Sequence, residues 1–129
     1  MLRSNFNHGF SPLAWDLAKE EARSIMIERA RLRGMITYSE LVQHIRSITI
    51  GPHDPRLDHL LGEISSDENT AGRGMLTVLV VHKAGDMEPG RGFYKLARSL
   101  GRDTSDLKKC WVDELHRVHK EQAAQSSNV

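Results

Sequence analysis

The sequence predicts one α+β domain, mostly helical, in which a helix-turn-helix is followed by one main strand and a long C-terminal helix. Three observations carry this expectation. Apolar residues recur at helical spacing through most of the 129-residue chain. Two short helical stretches follow a longer one, separated by a turn at Gly51-Pro52. Only the run MLTVLVVH, residues 75–82, changes to the continuous β-branched pattern of a strand.

Residues 1–10 show no period and read as a loose arm. Ser11-Pro12 then supplies a capping hydroxyl and a proline at the first helical position. Leu13, Leu17, Ala18, Ala22, Ile25, Met26 and Ala30 form the expected apolar stripe of the first helix, and Gly34 its end. Thr37 and Glu40 in TYSE form a capping box for a second helix, with Leu41, Val42 and Ile45 on its apolar face. Residues 47–53 read as a turn, and Asp54-Pro55 restarts a helix carrying Leu57, Leu60, Leu61 and Ile64.

The string SSDENTAGRG, residues 65–74, is polar and glycine-rich and reads as a loop. The strand that follows needs a partner, and Ile36-Thr37 and residues 47–50 are the two candidates. A second loop, AGDMEPGRG, leads to a helix over residues 93–100 closed by Gly101. Asp103 or Thr104 is the expected cap of the last helix, with Leu107, Cys110 or Trp111, Leu115 and Val118 on its buried stripe. Residues 123–129 read as a loose tail, so that one domain spans 1–129 with 1–10 and 123–129 flexible.

A net charge of +1 excludes a binder driven by bulk positive charge, though not a local basic face. The single cysteine, Cys110, forms no disulfide within the chain and suits a reducing compartment. With no secretory leader pattern and no apolar run near 20 residues, the expected setting is cytoplasmic, away from the membrane.

Candidate chemistry is sparse. His59 with Glu63, and His116 with His119, are spaced to share helix faces, but neither pair has the further ligands of a zinc site. Cys110 sits on an apolar stripe and reads as an inert core thiol. His82-Lys83 closes the strand, where functional loops begin. Glu63 and Lys83 fill two places of a metal-dependent nuclease core, yet the strand carboxylate such a core needs is absent. Arg73 and Arg91 stand between glycines in AGRG and PGRG, a setting for phosphate contacts as well as for plain hinges. No P-loop string is present, and nothing in the sequence calls for a cofactor.

Three strings in order carry a resemblance: ITYSEL with Tyr38, DPRLDHLLGEI with Arg56, and VLVVHKAGDMEPGRGFYKLA with His82, Lys83 and Gly92-Phe93. Over residues 34–98 the chain resembles the DNA-binding domain of O6-alkylguanine-DNA alkyltransferases and the non-catalytic alkyltransferase-like proteins. The resemblance implies a winged-helix-like topology. It also implies that Tyr38 contacts a phosphate near a flipped nucleotide and that Arg56 fills the space left in the stack. His82 and Lys83 match the family's histidine and arginine. Val80 and Val81 stand where the family has proline and the reactive cysteine, and a valine accepts no alkyl group.

The expected function is therefore a non-catalytic nucleic-acid-binding module for double-stranded DNA. In this reading Arg56 and His59 face a groove while Tyr38, Ser39, Arg73 and Arg91 touch phosphates. Asp54, Asp58 and Glu63 on the same helix oppose it. The alternative is a protein-interaction or accessory subunit, with a protein partner or a homodimer anchored by Trp15 and Trp111. A nuclease-like enzyme is a third and weaker reading.

Overall fold

The structure, a computed structural model, describes residues 9–82 and 89–127; Lys83 and most of the first arm lie outside the described residues. Helix α1 spans Pro12–Arg31, strand β1 Ile36–Thr37, helix α2 Tyr38–Gln43 and helix α3 Pro55–Thr70. A 3-10 turn over Leu76–Leu79 leads into β2, Val80–Val81, and then α4, Arg91–Ser99, and α5, Leu107–Ser127. The fold is mostly helical, with a two-stranded parallel sheet pairing Ile36 with Val80 and Thr37 with Val81. No helix among the described residues is long and apolar enough to cross a membrane.

Local chemistry sets the starts of the first three helices. Ser11 Oγ accepts the Ala14 amide at 3.2 Å with Pro12 at the first helical position. Thr37 and Glu40 form the reciprocal capping box, each side chain accepting the other's backbone N–H at 3.2 Å. Asp54 caps α3 through the Arg56 amide at 2.9 Å, ahead of Pro55.

Several boundaries differ from the sequence reading. At the end of α1 the left-handed residue is Arg33, with φ of 56°, and Gly34 follows it, donating to the Arg29 carbonyl at 2.8 Å. The stripe of α1 is centred on Trp15, which is 1% exposed, while Leu13 and Leu17 face outward at 70% and 48%. Residues 65–70 are the last turns of α3 and not a loop, because Ser65 and Glu68 continue its buried stripe. The connection from α2 to α3 occupies residues 44–54 and buries Ile45, Ile48 and Ile50, longer than the roughly four-residue turn of the simplest helix-turn-helix. Asp106, not Asp103 or Thr104, meets the first turn of α5, its Oδ1 accepting the Lys109 amide at 3.1 Å. Helix α5 continues to Ser127, through most of the expected tail.

The largest difference is at residues 76–79, which form a tight turn of helix where the sequence predicts a strand. The segment is buried on every side and packs against α1, α3 and α5. Among the described residues, partner strand is available only over Ile36–Thr37, so the remaining backbone groups are met by other means. Gly74 and Met75 donate to Glu121 and Glu114 at 2.8 and 2.7 Å, and Thr77 donates to Ser65 Oγ at 3.2 Å. Val78 donates to the Met75 carbonyl, and its own carbonyl accepts Trp111 Nε1 at 3.2 Å. Residues 47–50, the other candidate partner, pair with no strand among the described residues.

Charge inside this core carries a pH dependence. Glu68 is 2% exposed and is bound by Arg73 at 2.7 Å and Arg23 at 3.4 Å. Burial alone would raise its carboxyl, but hydrogen bonds and charges from Arg73 and Arg23 outweigh it and hold it below the usual range. A depressed carboxylate contributes stability in full above its unfolded value, about 4.3, and loses it as pH falls toward the folded value. The urea midpoint is therefore expected to decline as pH drops below about 4, with Glu68→Gln showing a shallower decline. Parallel profiles for the two proteins would refute this role for Glu68.

Candidate functional site

The parallel register that pairs Thr37 with Val81 brings the next residue of each strand together. Tyr38, at the first position of α2, stacks on His82, with ring centroids 4.9 Å apart and 30° between planes. Gly90, the residue before α4, closes over this pair. A Cβ at Gly90 would lie 3.2 Å from both His82 Nε2 and Tyr38 Oη, so any larger residue would press the two rings back by a few tenths of an ångström. Burial pushes the Tyr38 phenol above its ordinary value, the Asp58 charge adds to this, and a hydrogen bond from the Gly90 amide opposes it. The phenol stays protonated at neutral pH. With Gly90 donating to its oxygen, its own proton is a donor for an incoming acceptor.

From this corner a cleft of about 640 Å³ runs between α3 and α4. Leu61, Phe93 and Leu96 give it apolar walls, Thr77 lies at its inner end, and Asp58, His59, Arg91 and Lys95 supply its charged or polar rim. The volume falls in the range, about 300–1,000 Å³, of sites that enclose small organic groups. Among the described residues Asp58, Arg91 and Lys95 make no ion pair or side-chain hydrogen bond. A shallower depression of about 370 Å³, between α1 and α3, shares Asp58, His59, Gly62 and Leu96 with the cleft.

The structure gathers some of the sequence candidates and separates others. Tyr38, His59 and Arg91 line the cleft, His82 stacks on Tyr38, and Ser39 is exposed beside it. Arg56 sits in the first turn of α3, held by both oxygens of Asp54 at 2.7 to 3.2 Å and lying over the Phe10 ring at 4.4 Å. Arg73 is at the other end of this 16-residue helix, roughly 24 Å away at about 1.5 Å per residue, bound to Glu68. It belongs to the core network and not to the cleft. Lys83 lies outside the described residues.

The other chemical candidates resolve into structural roles. Glu63 accepts Trp15 Nε1 at 3.0 Å and pairs with Lys19 at 3.2 Å, which occupies the acid that a nuclease reading required. His116 is exposed whereas His119 is buried, its Nε2 3.0 Å from the Gly34 carbonyl, so the two do not share a face. No group of three or more His, Cys, Asp or Glu is arranged to hold a metal among the described residues. Cys110 is buried, and burial pushes its thiol up, with Glu114 adding. Trp15 is core, and Trp111 is half-buried and donates to the Val78 carbonyl, so neither is an exposed anchor.

Gly62 and Lys95 are cleft residues that sequence pattern passed over, and Asp58 is one that it reads only as a charge opposing DNA. Gly62 offered the one available signal, since glycine inside a helix costs about 1 kcal/mol relative to alanine. Comparison of the chain with protein-family models, with curated proteins and with solved structures found no match.

Proposed function

We propose that this chain is a non-catalytic nucleic-acid-binding module of the helix-turn-helix, alkyltransferase-like kind, with a winged-helix-like arrangement after α3. The observation that supports it best is convergence at the cleft. Tyr38, from one string, meets His82 and the start of α4, both from another string far along the chain, at one corner. The first turns of α3 form the opposite wall. These are the same strings that carry the resemblance.

In this reading double-stranded DNA lies across the mouth of the cleft. Tyr38 donates its hydroxyl proton to a phosphate oxygen, and Arg91 and Lys95, which pair with no acid among the described residues, supply positive charge on the rim. The cleft itself receives a group turned out of the duplex. Val81 is fully buried and is a hydrocarbon, so the site binds without accepting an alkyl group. The protein-interaction alternative keeps exposed Leu13 and Leu17 on α1 but has lost its two tryptophan anchors.

Fluorescence anisotropy with labelled duplex DNA, at about 50 and 200 mM salt, tests the reading. Binding is expected at the lower salt and should weaken steeply at the higher, by close to one power of salt concentration per phosphate neutralised. Tyr38→Phe, which removes one hydroxyl donor, should weaken binding about fivefold, the worth of one hydrogen bond. Absence of binding at 50 mM salt would sink the proposal and leave the likeness to alkyltransferases as one of strings alone.

A further inference from the structure

Gly62 has no structural reason to be glycine. It lies midway along α3, where glycine weakens a helix relative to alanine. Its φ is not in the left-handed region, and a Cβ placed on it would meet nothing within 4 Å. Neither backbone conformation nor crowding requires the missing side chain. What its absence does is keep space open, because Gly62 lines both the 640 Å³ cleft and the 370 Å³ depression.

Asp58 stands one helical turn earlier on the same face and also lines both spaces. Among the described residues its carboxylate carries no ion pair and no hydrogen bond, and its charge reaches the Tyr38 phenol. A carboxylate at this part of the rim repels phosphate, so the polyanionic backbone is kept toward Arg91 and Lys95 and something else enters beside Asp58. The group that suits the interior has flat apolar faces for Leu61, Phe93 and Leu96, and N–H donors for Asp58.

We infer that the cleft takes an unstacked nucleobase bearing an exocyclic amino group, with Asp58 reading that edge and Gly62 leaving room for the ring. The inference rests on the nucleic-acid-binding reading and deepens it. Carboxylates accept from the amino group of cytosine, and the same geometry serves adenine. Thymine turns a carbonyl oxygen toward the same place, where the carboxylate repels it. Asp58 is thus a specificity residue that favours cytosine and adenine over thymine.

The test uses the full chain and hairpin duplexes of one sequence carrying a single unpaired nucleotide: cytosine, adenine, thymine or an abasic residue. Anisotropy should show cytosine and adenine held about tenfold more tightly than thymine or the abasic site, the discrimination one such contact gives. Asp58→Asn, whose amide both donates and accepts, should bring that ratio to within about twofold of one. Gly62→Ala should raise the melting temperature while lowering the preference, and Gly62→Met should abolish it. Equal affinity for all four unpaired sites would overturn the inference while leaving duplex binding intact. Failure to bind any of the oligonucleotides at low salt would instead remove the underlying reading, and this inference with it.

Discussion

Replacing Glu114 with alanine should cost about 3 kcal/mol of stability, more than any substitution at the cleft. Glu114 is 6% exposed and ties three parts of the fold together from α5. Its Oε2 accepts the buried Met75 amide at 2.7 Å, and its two oxygens take the Arg102 guanidinium at 3.0 and 3.1 Å. Arg102 in turn reaches Asn69 at the end of α3 at 2.7 Å. Alanine would leave the Met75 N–H without a partner in a site closed to water. It would also leave a guanidinium whose side chain is 18% exposed without its carboxylate. Removing one member of a buried ion pair costs roughly 3–5 kcal/mol, and the residual access of Arg102 to solvent argues for the lower end. For a chain of this size that is a fall on the order of 10 °C in melting temperature. Glu114→Gln keeps an acceptor for Met75 and should lose about half as much. Thermal denaturation followed by circular dichroism decides it; an alanine variant melting within about 2 °C of the parent would show that the network is slack.

Glu114 also illustrates what pattern reading misses. The buried stripe of α5 includes Cys110, Glu114, Val118 and Gln122, so half of these four positions are polar. A search for apolar period finds Leu107 instead, which is half exposed. The same thing hid the end of α3. Leu57, Leu60, Leu61 and Ile64 are followed by Ser65 and Glu68 on the buried side, and a charged residue there looks like loop until Arg23 and Arg73 are seen beside it. Residues 76–79 escape the pattern for a different reason. Their β-branched composition reports burial on all sides, and burial does not distinguish a strand from a short turn of helix.

Signals that depend only on neighbours in the chain were legible. Ser11-Pro12, the Thr37–Glu40 box and Asp54-Pro55 each involve groups within three residues, and each marks a helix start in the structure. The site was legible one wall at a time. Tyr38, His59, His82 and Arg91 could be singled out, but their meeting depends on the Ile36–Val80 register, which no local pattern encodes. Asp58 appeared in the sequence only as a charge opposing DNA. Its place in the cleft gives that charge a different use in the proposed function, where repulsion of phosphate and acceptance of an N–H donor come from the same carboxylate.

Arg56 provides the second large effect. In the structure its charge is spent within the chain: Asp54 holds it with three side-chain contacts, and Phe10, stacked on Trp15 at 5.9 Å, lies beneath it. The hydrogen bonds from Arg56 hold the Asp54 carboxyl down to about 2, so this pair stays ionised throughout the neutral and mildly acidic range, and lowering pH to 5 does not release it. A neutralised arginine adds little to phosphate attraction. Asp54→Asn is therefore expected to tighten duplex binding about tenfold, since it removes an anion beside the DNA and the charge that offsets Arg56. Asparagine caps a helix as well as aspartate, so α3 should keep its start and the protein its stability. The slope of log affinity against log salt should steepen by about 0.9, the signature of one further phosphate neutralised. Arg56→Ala in the same background should return both affinity and slope to the parent's values or below. If Asp54→Asn leaves the salt slope unchanged while the protein still binds DNA, Arg56 does not reach phosphate. Its bond to Asp54 is then part of the helix start, and binding at the cleft depends on Tyr38, Arg91 and Lys95 without it.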